Sequence, residues 1–143
     1  MPDNVTYELA SIAEPLSVVI QATRRAQAPQ PGQSVLILGC GAVGLLSAAL
    51  AKSMGATKIT VVDIDQAKLD FCEAQGWATE TVLLPRGPRV SGKESLEAAK
   101  KTVSELFEPK FGSDGWDCVF ECSGVEVSFP FLSLESALLS SMC

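Results

Sequence analysis

Ser34-Val35-Leu36-Ile37-Leu38-Gly39-Cys40-Gly41-Ala42-Val43-Gly44 is the stretch on which the reading of this chain turns. Its first five residues form a short apolar run ended by glycine, the pattern of a strand buried on both faces of a parallel sheet. From Val43 to Met54 the spacing is helical, and Gly55 stands where a C-terminal cap belongs. Between strand and helix lies G-x-G-x-x-G. Gly39 permits a tight turn, Gly41 lets the backbone approach a pyrophosphate, and Gly44 lets helix and strand pack closely. The N–H groups that open such a helix have no intrahelical acceptors and attract phosphate oxygens.

Outward from this unit the alternation continues. Lys58–Val62 is a β-branched strand, Gln66–Gln75 a helix stopped by Gly76, and Thr81–Leu84 a third short strand. Pro85-Arg86-Gly87-Pro88-Arg89 reads as a loop. Ser91-Gly92-Lys93-Glu94 has capping-box spacing, and the helix it predicts puts Leu96, Ala99, Val103, Leu106 and Phe107 on one face. Glu97 and Lys101 pair at i,i+4 on the opposite face. Gly112-Ser113-Asp114-Gly115 then turns into a fourth strand, Trp116–Glu121. This order predicts an α/β chain with an incomplete, doubly wound parallel sheet of the Rossmann type, strand order 3-2-1-4. The ligand crevice falls between strands 1 and 4. Strand 4 becomes an edge carrying Val119 and Phe120, prone to aggregation unless the apolar tail covers it.

Asp63 ends the second strand, nineteen residues after Gly44. That is close to the roughly 20 expected of an acid that binds a dinucleotide's ribose. A carboxylate there accepts from the ribose 2′- and 3′-hydroxyls and repels a 2′-phosphate, which favours NAD over NADP. Leu38-Gly39-Cys40-Gly41 also resembles the first motif of methyltransferases that bind S-adenosylmethionine. That motif usually carries an acid where this chain has Ile37, and Gly44 is placed for a dinucleotide.

Composition narrows the chemistry. The 143 residues include 11 Lys+Arg, 17 Asp+Glu and no histidine, a formal net charge of −6. An acidic chain lacks the basic footprint of a nucleic-acid binder. Without histidine there is no serine–histidine or cysteine–histidine nucleophile and no histidine-containing zinc site. Five cysteines (Cys40, Cys72, Cys118, Cys122 and Cys143) without C-x-x-C spacing read as buried structural thiols in a reducing cytoplasm, not as a disulfide framework or metal knuckle. No secretory leader is expected from Met1–Asn4. Val35–Ala51 carries no charge, but its three glycines suit a strand, turn and helix better than a membrane span.

Met1–Arg25 (M-P-D-N-V-T-Y-E-L-A-S-I-A-E-P-L-S-V-V-I-Q-A-T-R-R) resembles a segment of the sorbitol and xylitol dehydrogenase branch of medium-chain zinc alcohol dehydrogenases. Pro31-Gly32, Gly55-Ala56, Val62-Asp63 and Glu121-Cys122-Ser123-Gly124 look like the same family, so the resemblance covers residues 1–126. It implies NAD as cofactor, with zinc only in complete members, a polyol substrate, homo-oligomers, and no nucleic-acid or membrane partner. By position, Gly39, Gly41 and Gly44 would form the pyrophosphate turn, Val43 would pack near the nicotinamide, and Asp63 with Lys68 would hold the adenosine ribose. Cys122-Ser123-Gly124 would flank the cofactor. Glu14 matches a carboxylate near the catalytic zinc; on its own it reads as a helix-start acid favoured by the dipole.

The departures are as informative. Gln21 stands where relatives often have histidine, and the domain with most catalytic zinc ligands and the four-cysteine zinc loop are both missing. The division implied is 1–30, remnant of a catalytic domain and its connecting helix; 31–124, a partial NAD-binding domain; and 125–143, an apolar tail unlike the family. The expectation is a piece of a polyol dehydrogenase, able to bind NAD and inactive alone. A non-catalytic nucleotide-binding or misfolded fragment is the alternative.

Overall fold

The computed structural model describes residues 2–85, Glu105 and 115–124. In order they form α1 (Tyr7–Ser11), α2 (Ala13–Ala26), β1 (Ser34–Leu38), α3 (Ala42–Ser53), β2 (Lys58–Asp63), α4 (Gln66–Ala74), β3 (Glu80–Leu83) and β4 (Cys118–Glu121). The strands make one parallel sheet in the order β3-β2-β1-β4, as the alternation predicts. Apart from Glu105, the helix expected after Ser91 lies outside the described residues, as do positions 86–89 of the expected loop, the turn over 112–114 and the tail 125–143.

Period-two alternation along β1 divides the core. Val35 and Ile37 face a cluster built with Ala48 and Ala51 of α3 and Leu69 and Cys72 of α4. Leu36 and Leu38 face the other way, toward Val62, Val82 and Trp116. Both described helices of the sheet, α3 and α4, therefore cover one face.

Register then sets the position of the site. Leu38 pairs with Val62 on one side and with Glu121 on the other. The C-terminal ends of β1, β2 and β4 thus share one edge of the sheet. The chain leaves β1 toward β2 and later returns to β1's opposite side as β4, so the switch point lies between β1 and β4.

Two boundaries depart from expectation, one near the N-terminus and one at the fourth strand. A short helix, α1, precedes α2 and has no periodic signal in the sequence; Thr6 starts it by accepting from the Leu9 N–H at 3.3 Å. The next helix, α2, begins at Ala13, so Pro15 falls inside its first turn, where a missing N–H costs nothing. The fourth strand pairs only from Cys118. Trp116 instead turns its indole inward, donating to Thr60 Oγ1 at 3.2 Å. Among the described residues, no helix is long and apolar enough to cross a membrane.

Candidate functional site

Three glycines in the β1–α3 turn do three different jobs. Gly39 has φ +98°, and a Cβ on it would lie 2.8 Å from the Cα of Ser123. The turn is therefore pressed against the chain leaving β4. A Cβ on Gly44 would sit 1.9 Å from the Gly39 carbonyl oxygen, so α3 starts directly on the turn. Gly41 is the opposite case, since its Cβ would meet nothing within 4 Å. Gly41 is also the N-cap of α3 and has no side chain to cap it. The first N–H groups of α3 consequently need an acceptor from elsewhere, and the space over Gly41 is open to supply one. Val43, in that first turn, is 41% exposed.

Asp63 is wired into this turn. Its Oδ2 accepts from the Cys40 N–H at 2.5 Å, and its Oδ1 accepts from the N–H groups of Ile64 and Asp65 at 2.7 and 2.9 Å. A carboxylate offers about four lone-pair sites, so acceptor capacity remains for a hydroxyl. Lys68 stands exposed on the first turn of α4. Its carbonyl oxygen accepts from Cys40 Sγ at 3.4 Å, which ties α4 to the same turn.

The far wall is Cys122-Ser123-Gly124. Cys122 N–H donates to the Leu38 carbonyl at 2.8 Å, extending the β1–β4 pairing to the turn itself. Its thiol lies 3.8 Å from the Ser47 hydroxyl, and burial holds it above the ordinary thiol range. It packs against the cluster that β1 shares with α3 and α4.

Two residues of this wall and turn were not among the site residues expected from sequence. Glu121 Oε1 accepts from Ser123 N–H, Ser123 Oγ and Gly124 N–H at 2.7, 2.6 and 3.2 Å, fixing the loop, while its Oε2 is buried with no partner among the described residues. An acid closing an apolar strand just before Ser-Gly is the signal that marks it. Cys40, the first variable residue of the motif, carries the N–H that locks Asp63 to the turn.

The structure thus brings Gly39, Gly41, Val43, Gly44, Asp63, Lys68, Cys122, Ser123 and Gly124 to one edge of the sheet. Glu14 is separate: it is exposed in the first turn of α2. Gln21 lies further along α2, on a shallow open hollow with Ser17, Val18, Ala22 and Arg25. Among the described residues no three His, Cys, Asp or Glu side chains converge as metal ligands. They do not fit a zinc ion. They do fit a dinucleotide, through the open cradle over Gly41 and the spare acceptor capacity of Asp63.

Fold and site together define a Rossmann-type dinucleotide-binding unit of the β3-β2-β1-β4 kind. Residues 42–133 match the family model described as zinc-binding dehydrogenase, and the chain belongs to that family. D-xylulose reductase A of Aspergillus niger is 37% identical over 128 residues, covering 90% of this chain and 32% of that protein. Alcohol dehydrogenase TADH from Thermus sp. ATN1 superposes with a TM-score of 0.63 at 26% identity, over 94% of this chain and 34% of its own. A structure from Sinorhizobium meliloti 1021 bound to NADP gives 0.61 at 29% identity, over 80% of this chain and 30% of its own. The chain spans about a third of the length of the curated relatives it matches.

Proposed function

We propose that this chain is the NAD-binding portion of a zinc-type polyol dehydrogenase. The observation that carries the reading is Asp63, bonded through Oδ2 to the amide of the glycine turn and left with acceptor capacity beside open space at Gly41. The turn and the start of α3 would take the pyrophosphate, and Asp63 with Lys68 would take the adenosine ribose. Cys122-Ser123-Gly124 would wall the nicotinamide side, with Val43 beneath it. The xylulose reductase relatives support a polyol as hydride donor to NAD in the whole protein. Glu14, on α2, is the residue that would approach zinc there, and the active assembly would be an oligomer in the cytoplasm.

Asp63 also argues for NAD over NADP, because its carboxylate would face a 2′-phosphate with like charge. The S. meliloti structure binds NADP, so this preference is a direct point of test. Titrating the chain with NADH and with NADPH, following nicotinamide fluorescence, should give saturable NADH binding at least about tenfold tighter. Equal or tighter NADPH binding would overturn the NAD assignment. S-adenosylmethionine binding in place of both would return the chain to the methyltransferase reading. Because no zinc ligand set converges among the described residues, the chain alone should bind NAD without oxidising xylitol or sorbitol. Measurable NAD-linked oxidation by the 143-residue chain would refute that.

A further inference from the structure

Glu121 does more at the end of β4 than the cofactor reading asks of it. Its Oε1 takes three donors at once: the Ser123 N–H at 2.7 Å, the Ser123 hydroxyl at 2.6 Å and the Gly124 N–H at 3.2 Å. Gly124 is left-handed, at φ +64°, and successive N–H groups that converge in such a bend form a concave site for an anion. Here the chain's own carboxylate fills it. The other oxygen, Oε2, is buried with no partner among the described residues. A buried, unpaired carboxylate oxygen works against folding stability, so stability alone does not account for a glutamate at this position. What the carboxylate secures is a placement. Cys122 is tied to the sheet through the Leu38 carbonyl at 2.8 Å, whereas Ser123 and Gly124 lie beyond the last strand pair and are drawn back by Glu121. Ser123 is the residue whose Cα would stand 2.8 Å from a Cβ on Gly39, so this hold sets how closely the β4 wall approaches the glycine turn.

We propose that Glu121 is a positioning residue for the nicotinamide half of the dinucleotide. The proposal rests on the NAD-binding reading above. The sheet order puts the two halves of the site on opposite sides of β1: Asp63 ends β2, and Ser123 and Gly124 follow β4. A ligand lying across the β1–α3 turn therefore has its adenosine ribose on the β2 side and its nicotinamide on the β4 side. Glu121 acts on the second side alone, and it acts through the loop. With Oε1 engaged by three donors and Oε2 buried, the carboxylate leaves no oxygen for a ligand. Without it, Ser123 and Gly124 lose the acceptor that gathers them, the wall loosens, and the nicotinamide loses its fixed surface. The glycine turn, the start of α3 and Asp63 keep their own bonds, so the adenosine and pyrophosphate half is still held. While Glu121 fills the Ser123 and Gly124 amides they are also closed to phosphate, which keeps the pyrophosphate at Gly41.

The test compares NADH with ADP, which carries the adenosine and two phosphates but no nicotinamide, on the purified chain and its Glu121→Gln and Glu121→Ala variants. NADH is followed by nicotinamide fluorescence and ADP by calorimetry. Glu121→Gln keeps a neutral acceptor where Oε1 stands, and Glu121→Ala removes it. NADH affinity should fall about tenfold or more in Glu121→Ala and less in Glu121→Gln, while ADP affinity stays within about twofold in both. Amide hydrogen exchange at Ser123 and Gly124 should quicken in the same order. A parallel loss of NADH and ADP affinity reduces Glu121 to a structural residue and overturns the proposal, as does NADH binding unchanged in both variants. Should Glu121→Ala fail to fold, Glu121→Gln decides alone: a selective loss of NADH supports the role, and an equal loss of both ligands overturns it. A native chain that binds neither ligand overturns the cofactor reading and this role with it. A native chain that binds both, with its variants unaltered, overturns this role alone.

Discussion

β1 and β4 lie side by side in the same parallel register, Ile37 opposite Phe120 and Leu38 opposite Glu121, yet they live in different environments. Val35, Leu36 and Ile37 are at 0% exposure, with β2 and β4 on either side and α3 over one face. Every residue of β4 is only half-buried, and among the described residues β1 is the one strand beside it. What holds β4 in place is polar as much as apolar. Asp117 accepts from the N–H and hydroxyl of Ser34 at 2.7 Å each, and Glu121 organises the loop that presses on Gly39. The wall of the site beside β1 is therefore built on a packed centre, and the opposite wall on an edge tied down at both ends. Affinity for a dinucleotide and stability of the sheet should separate along this line.

The turn between the two walls gives the largest effect. Gly44→Ala places a Cβ 1.9 Å from a backbone oxygen that cannot move without displacing β1, and should cost about 3–5 kcal/mol or prevent folding. Gly41→Ala meets nothing within 4 Å and should leave the urea midpoint unchanged while obstructing the pyrophosphate, so that NADH affinity falls. Equal stability losses for the two variants would break the assignment of packing to one glycine and ligand approach to the other.

Ile37→Ala against Phe120→Ala tests the strands themselves. Truncating the buried Ile37 should cost about 2–5 kcal/mol in urea unfolding. Phe120 has more area to lose but is half-buried, and should cost about 1–2.5 kcal/mol. A larger loss at Phe120 would mean that β4 is covered as fully as β1. Asp63→Ala should act on binding and on the turn together. It removes the charged acceptor of the ribose, worth about 1.5–3 kcal/mol, or roughly 10–100-fold in NADH affinity, and the amides of Cys40, Ile64 and Asp65 lose the same acceptor, which lowers the urea midpoint as well.

The same contrast explains what the sequence made legible. β1, α3 and β2 could be placed within a residue or so because their cues are local: an unbroken apolar run, a glycine turn, a β-branched run. Asp63 was legible because strand and helix lengths fix its spacing from Gly44. The start of β4 was not, because it depends on Trp116 reaching Thr60 and Asp117 reaching Ser34 across the sheet. α1 hides in five residues opened by one threonine, too short for a periodic signal. Glu121 was visible as part of a resemblance, but its hold on Ser123 and Gly124 is a loop geometry that no periodicity encodes. Cys40 and Cys72 are thirty-two residues apart, and only the β1–β2–α4 crossover brings them into one core cluster.

The smallest effect isolates the clasp at the start of β4. The Ser34 N–H, and after it the Ser34 hydroxyl, hold the Asp117 carboxyl below the ordinary carboxylate range, against a slight opposing push from burial. A folded-state pKa below the unfolded value of about 3.9 stabilises the chain above that pH, and the contribution is lost as pH falls through the folded pKa. Asp117 is exposed, so solvent screening should hold the contribution below about 1 kcal/mol. Asp117→Asn keeps one acceptor and removes the charge. Its urea midpoint should lie slightly below that of the native chain at about pH 7, and the gap should shrink toward about pH 3 as the native carboxyl is neutralised. A gap that stays constant across this range would show that shape and not charge fastens the edge strand. In that case the polar ends of β4 would be no different in kind from the packed centre of β1.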